Sequence, residues 1–182
     1  YTAGSYKNTL FGGDRTGSNY YGVMYHVAPS STAFTNGRFN PGLTDKVGAV
    51  MGNLFLQYSP MNGVSFESFT TLEQAKGRSA SEADVRKANQ FVTDLLVRFG
   101  SDEHFYVGGR YNMLNVDMAS AGSTPAYTAD ISRTAIAAGW YMTRNIMAKV
   151  EYVTQNYEGF PDNSIYADAQ FDGLMVAGSI AF

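Results

Sequence analysis

Cysteine is absent from the 182-residue chain, which removes disulfides, thiolate metal sites and thiol catalysis together. Histidine is nearly absent, with His26 and His104 only, and charged residues make up 16%, well under the roughly 25% of ordinary globular domains. Proline is scarce, at 5 residues, and no Pro/Ser-rich linker divides the chain, so one folding unit over 1–182 is expected. No apolar run approaches the ~18 residues of a membrane helix; the best windows, 134–142 and 173–182, reach about half of that. A helix-spanning protein is thereby excluded. Clustered Lys and Arg are missing too, and a formal charge of -3 leaves no electrostatic footprint for nucleic acid. The chain opens at Tyr1 with neither methionine nor signal peptide, as expected if a signal has been removed or a longer protein precedes it.

What is present is Gly (19), Tyr (13) and Phe (12), a profile rich in strand formers and aromatics. From residue 47 onward apolar and polar residues alternate with the period of a β-strand. The spacing predicts strand pairs at 47–59 with 63–73, 89–99 with 104–115, and 131–142 with 145–157, and a closing strand at 170–182. Short turns join each pair, whereas long polar segments lie at 28–46, 74–88, 116–130 and 158–169. Alternating short and long connections are the asymmetry of outer-membrane barrels, with short periplasmic turns and long extracellular loops. One further strand is expected within 1–46, at 1–9 or at 20–27, the remainder forming a long extracellular loop. The strand total is eight, an even number as in complete bacterial barrels.

Parity separates two faces. Val50, Leu54, Phe91, Leu95, Val97, Val107, Ile136, Val150 and Val176 share one face with other apolar residues. The charges Glu67, Glu73, Asp94, Arg98, Arg110, Arg133, Lys149 and Glu151 all take the other, and Asp172 is the exception, near a strand's loop end. A soluble barrel or sandwich alternates as well, with its apolar face inward. The membrane reading is favoured by aromatics gathered beside the short turns on the apolar face, namely Tyr58, Phe99, Phe105, Trp140 and Phe182. Such a belt belongs at the headgroup level of a bilayer. On the charged face Gly108, Ala135, Ala137, Gly139, Gly173 and Ala177 keep the interior uncrowded.

Seven charges are therefore candidate pore-lining residues: Glu67, Asp94, Arg98, Arg110, Arg133, Lys149 and Glu151. The plainer reading is a set of ion pairs bracing the interior, since buried charges must be paired; the sharper one is a wall that tunes selectivity. If Asp94 and Glu151 each take one base, two positive charges remain and a mild anion preference follows. Arg38, within 36–42, is a candidate constriction if loop 28–46 folds inward, although Asn, Pro and Gly there also suit an ordinary surface turn. No enzyme is expected: no G-x-S-x-G elbow occurs, and His104 beside Asp102 and Glu103 reads as a polar turn. No cofactor or metal site is expected from two histidines without cysteine.

The final segment GLMVAGSIAF looks like the C-terminal signal read by the outer-membrane barrel-insertion machinery. GGDRTGSNYY at 12–21, NGRFNPGLTDKV at 36–47, LEQAKGRSASEADVRKANQ at 72–90, HFYVGGRYN at 104–112 and KVEYVTQNYEGFP at 149–161 together resemble the porin-like family of Bacteroidota outer membranes. The resemblance implies an all-β transmembrane antiparallel barrel in the outer membrane, of which 1–182 is the C-terminal part. It implies passive diffusion of small solutes or ions, with membrane lipids or lipopolysaccharide, the insertion machinery, and a homo-oligomer or envelope complex as partners. A non-conducting barrel serving as scaffold in an envelope assembly is the alternative.

Overall fold

The computed structural model describes residues 2–4, 39, 41–79 and 81–181. Among them there is no helix, and the strands are β1 (Thr2–Gly4), β2 (Asp45–Met61), β3 (Val64–Arg78), β4 (Arg86–Phe99), β5 (Phe105–Met118), β6 (Tyr127–Thr143), β7 (Ile146–Glu158) and β8 (Gln170–Ile180). They form one antiparallel sheet in sequence order, seven long strands with the three-residue β1 beside β2. Each neighbour in space is the neighbour in sequence, so every pairing follows from a single hairpin or loop.

The turns are tight where the sequence is short. Gly63, at φ +76°, lies so close to the next turn that a Cβ would sit 2.2 Å from the Gly100 carbonyl oxygen. The left-handed backbone and the approach both require glycine there. Thr143 Oγ1 accepts the Asn145 N–H at 3.2 Å and closes the turn between β6 and β7.

Two expectations are corrected, and a third is met in part. First, the strands extend further at the long-connection end than alternation of apolar residues suggested: β3 continues to Arg78, β4 begins at Arg86, and β5 and β6 reach Met118 and Tyr127. About half of each of the segments 74–88 and 116–130 is therefore strand, because polar outward residues alternate there with Ala75, Gly77, Ala88, Val116 and Ala129 facing inward. Second, the sheet does not close into a barrel: among the described residues β8 pairs with β7 alone, and β1 touches β2 only at Val47 and Asp45. Among the described residues, most of β2, from Gly48 onward, and all of β8 thus keep one unpaired edge. Third, the strand expected at 1–9 is represented by Thr2–Gly4, while the alternative at 20–27 lies outside the described residues.

The register makes the two faces continuous. On the outer, convex face one row runs Tyr58, Phe66, Val97, Val107, Ala138, Val150, Val176, and the next Leu56, Ser68, Leu95, Gly109, Ile136, Tyr152, Leu174. The large apolar side chains of these rows are exposed, apart from the half-buried Val97. The buried core lies on the opposite face at the long-connection end, where Ala75, Ala88, Leu114, Val116, Ala129, Ile131, Val153 and Phe171 of the strands meet Phe39, Leu43 and Phe160 of the connections.

Candidate functional site

The concave face is built from one parity of each strand. Glu67 of β3, Asp94 and Arg98 of β4, Arg110 of β5, Arg133 of β6, and Lys149 and Glu151 of β7 all stand on it. Antiparallel register decides the pairs. Asp94 lies directly opposite Arg110, and the guanidinium grips the carboxylate with two nitrogens, Nη2 to Oδ2 at 3.1 Å and Nε to Oδ1. Arg98 reaches Glu67 Oε1 at 3.3 Å, donates to the Tyr141 hydroxyl at 3.4 Å and lies 5.5 Å from the Tyr141 ring centre. Lys149 pairs with Glu151 two residues along its own strand.

Five of the seven expected residues, Glu67, Asp94, Arg110, Lys149 and Glu151, line one open recess of about 400 Å³ together with Phe55, Phe69, Tyr106 and Tyr141. Arg133 sits apart. It is 3% exposed and donates through Nε to Gln155 Oε1 at 2.6 Å, while Gln155 donates to the Tyr157 hydroxyl at 2.7 Å. With Gln90 and Asn112, joined at 3.4 Å, these side chains make a buried polar row beneath Phe39. Such a row satisfies most of the polar groups that burial would otherwise leave at a cost of about 1 to 3 kcal/mol each, while Gln90 Oε1 accepts no hydrogen bond among the described residues.

Above that row, the concave face is capped. Phe160 packs edge-on against Phe39 at 5.8 Å between centroids and against Tyr157 at 6.1 Å, and Tyr166 lies 4.9 Å from Tyr157. Leu43 beneath it is fully buried, a contribution of about 2 kcal/mol for a side chain of that size. Burial pushes the Tyr166 phenol up, so the cap stays uncharged through the physiological range. Segment 28–46 thus reaches the concave face through Phe39 and Leu43; Arg38, the expected constriction residue, lies outside the described residues. Beside the cap, partial burial of Glu82 is outweighed by hydrogen bonds from Arg86 and Ser79, which hold its carboxyl below the ordinary value.

The outer face carries the expected aromatics. Phe99, Phe105 and Trp140 form a stacked ladder, with centroids 5.9 and 6.1 Å apart, and Tyr58 is 67% exposed on β2. Phe182 lies outside the described residues.

The electrostatics differ from the sequence expectation. Among the described residues, the concave face between ladder and cap holds four acids, Glu67, Glu73, Asp94 and Glu151, and four bases, Arg98, Arg110, Arg133 and Lys149. Counting only Asp94 and Glu151 against the bases overlooked Glu67 at Arg98 and Glu73 on the same face, so no positive excess is left. Tyr106 and Tyr141 were also missed, although their parity with the charges places them on this face. The cap was not readable from periodicity, because Phe39, Phe160 and Tyr166 come from connections. Among the described residues no group of three or more His, Asp or Glu is gathered as a metal site would need. Comparison of the chain with models of known protein families, with characterised proteins and with solved structures finds no match.

Proposed function

We propose that this chain forms wall of an outer-membrane β-barrel, a porin-like channel for passive diffusion of small solutes or ions. The observation that carries the reading is the outer face. From Phe105 to Met113 its outward positions on β5, and the positions beside them on the neighbouring strands, carry no charge except Asp172 at the far margin of β8. Those eight steps measure ~26 Å along the strand, or ~20 Å at a tilt of about 40°, close to the ~25 Å apolar band of outer-membrane barrels. The charged outward residues Lys76, Lys87, Asp117, Asp130 and Glu158 all stand beyond the band at the long-connection end. The aromatic ladder bounds the other rim, and the paired charges face the side that would be wet. In this reading further strands meet the free edges of β2 and β8 and complete the barrel.

A second reading draws on the cap. An apolar cluster across the concave face obstructs a narrow lumen, which favours a non-conducting barrel that serves as scaffold in an envelope assembly. Single-channel recording of the full-length protein in planar bilayers separates the two: discrete conductance steps are expected for the channel, and inserted protein without conductance above background would replace it by the scaffold. Failure to insert into liposomes at all would remove both.

A further inference from the structure

Lys76 and Lys87 are directly opposite each other across β3 and β4 on the outer face. Both are exposed. Like charges at opposed positions repel, and sheets usually avoid the arrangement or insert an acid. Here no acid forms an ion pair with either lysine among the described residues. Lys76 has Gly48 on its other side, and the nearest acid along the row, Asp117, accepts the Thr128 hydroxyl at 3.3 Å and forms no ion pair with either lysine among the described residues. A third cation, Lys46, is exposed at the irregularity between Asp45 and Gly48 of β2. The other outward charges at this level, on β5 to β7, are acids: Asp117, Asp130 and Glu158. The positive charge is therefore concentrated on β2 to β4.

We infer that Lys76 and Lys87, with Lys46 beside them, bind the phosphorylated headgroup of a membrane lipid; the inference rests on the membrane reading above. Three features select a lipid over a free anion. The lysines lie four residues beyond Leu72 and Phe91 on their own strands, ~13 Å along the strand, where an interfacial headgroup sits over the hydrocarbon. Leu72, 60% exposed, and Phe91 beneath them present the apolar surface an acyl chain requires. Between the two levels Gln74 Nε2 donates to Asn89 Oδ1 at 2.8 Å, and the Asn89 amide nitrogen on the same face is a further donor. Cations at this level gain from an anionic leaflet, by about fivefold in affinity per lysine.

The test uses the full-length protein in neutral detergent micelles, with native mass spectrometry counting bound lipid. The probes are a bis-phosphorylated glycolipid and the same glycolipid with both phosphates removed. The phosphorylated form should be retained preferentially, and Lys76→Gln with Lys87→Gln should reduce its retention by about 25-fold without changing retention of the dephosphorylated form. Arg144→Gln, an exposed charge in the turn at the opposite rim, should have no effect. Inorganic phosphate at millimolar concentration should not displace the lipid; displacement would assign the site to a free anion instead. Equal retention of both glycolipids, or indifference to the double substitution, would overturn the proposal. Liposome flotation of the native protein is measured alongside: insertion without phosphate preference sinks this inference alone, whereas no insertion sinks the membrane reading with it.

Discussion

At the scale of single residues, the contact between Tyr106 and Gly139 shows how the interior is fitted. The two stand opposite each other on β5 and β6, and a Cβ on residue 139 would fall 2.0 Å from Tyr106 Cε1. The ring lies flat across the glycine and carries Tyr106 toward Tyr141, 5.9 Å away between centroids, and so to the residue that receives Arg98. Gly139→Ala should therefore displace the ring and destabilise the fold by about 1 to 3 kcal/mol, the usual cost of overpacking. In a Tyr106→Ala background the same change should cost almost nothing. Denaturant midpoints of the four proteins of this cycle give the coupling; additive effects would show that the ring does not rest on Gly139. The sequence indicated that residue 139 is small and faces inward. It gave no sign of the tyrosine, because a cross-strand partner 33 positions away depends on register rather than on local pattern.

At the scale of strands, period-2 alternation located every long strand and assigned its faces, since charge and bulk obey parity wherever one face must stay apolar. It placed the ends badly. Beyond the apolar band both faces change character: the outward side becomes polar with Gln74, Lys76, Asn89, Asn115 and Asp130, while the inward side becomes small and buried. Such segments have the composition of loops, yet they remain hydrogen-bonded strand, with Asn115 Nδ2 donating to Asp130 Oδ1 at 2.7 Å across the pair. The parity assignment itself is testable on β4. Val97 stands in the outward row between Phe66 and Val107, and Leu96 lies opposite Gly108 on the concave face. Val97→Arg should block assembly into liposomes, because Arg near the middle of the apolar band costs roughly 2 to 4 kcal/mol. Leu96→Arg should still assemble, its guanidinium meeting water and the carboxylates of Glu67 and Asp94. Equal folding yields for the two variants would refute the parity assignment.

At the scale of the whole molecule, the concave face decides between a conducting wall and a braced interior, and its charge balance makes the choice measurable. With four acids matched by four bases between ladder and cap, the wall carries no excess charge among the described residues, although each pair sets a local field across the recess. A channel running along this face should be nearly unselective between small anions and cations. Two of the bases, Arg110 and Lys149, line the open recess, whereas Arg133 is buried beneath Phe39 and would disturb folding if reversed. Arg110→Glu with Lys149→Glu therefore leaves six acids facing two bases. Rings of unpaired acids draw cations into a pore, so the variant should become cation-selective in a reversal-potential measurement under a salt gradient. The shift should be largest near 0.1 M salt and fade toward 1 M, as the Debye length contracts from about 10 Å to about 3 Å. A double Glu variant that inserts and conducts with the native reversal potential would mean that ions do not pass this face. The pairs Asp94–Arg110 and Lys149–Glu151 would then act as bracing behind the aromatic cap, and the scaffold reading would take the place of the channel.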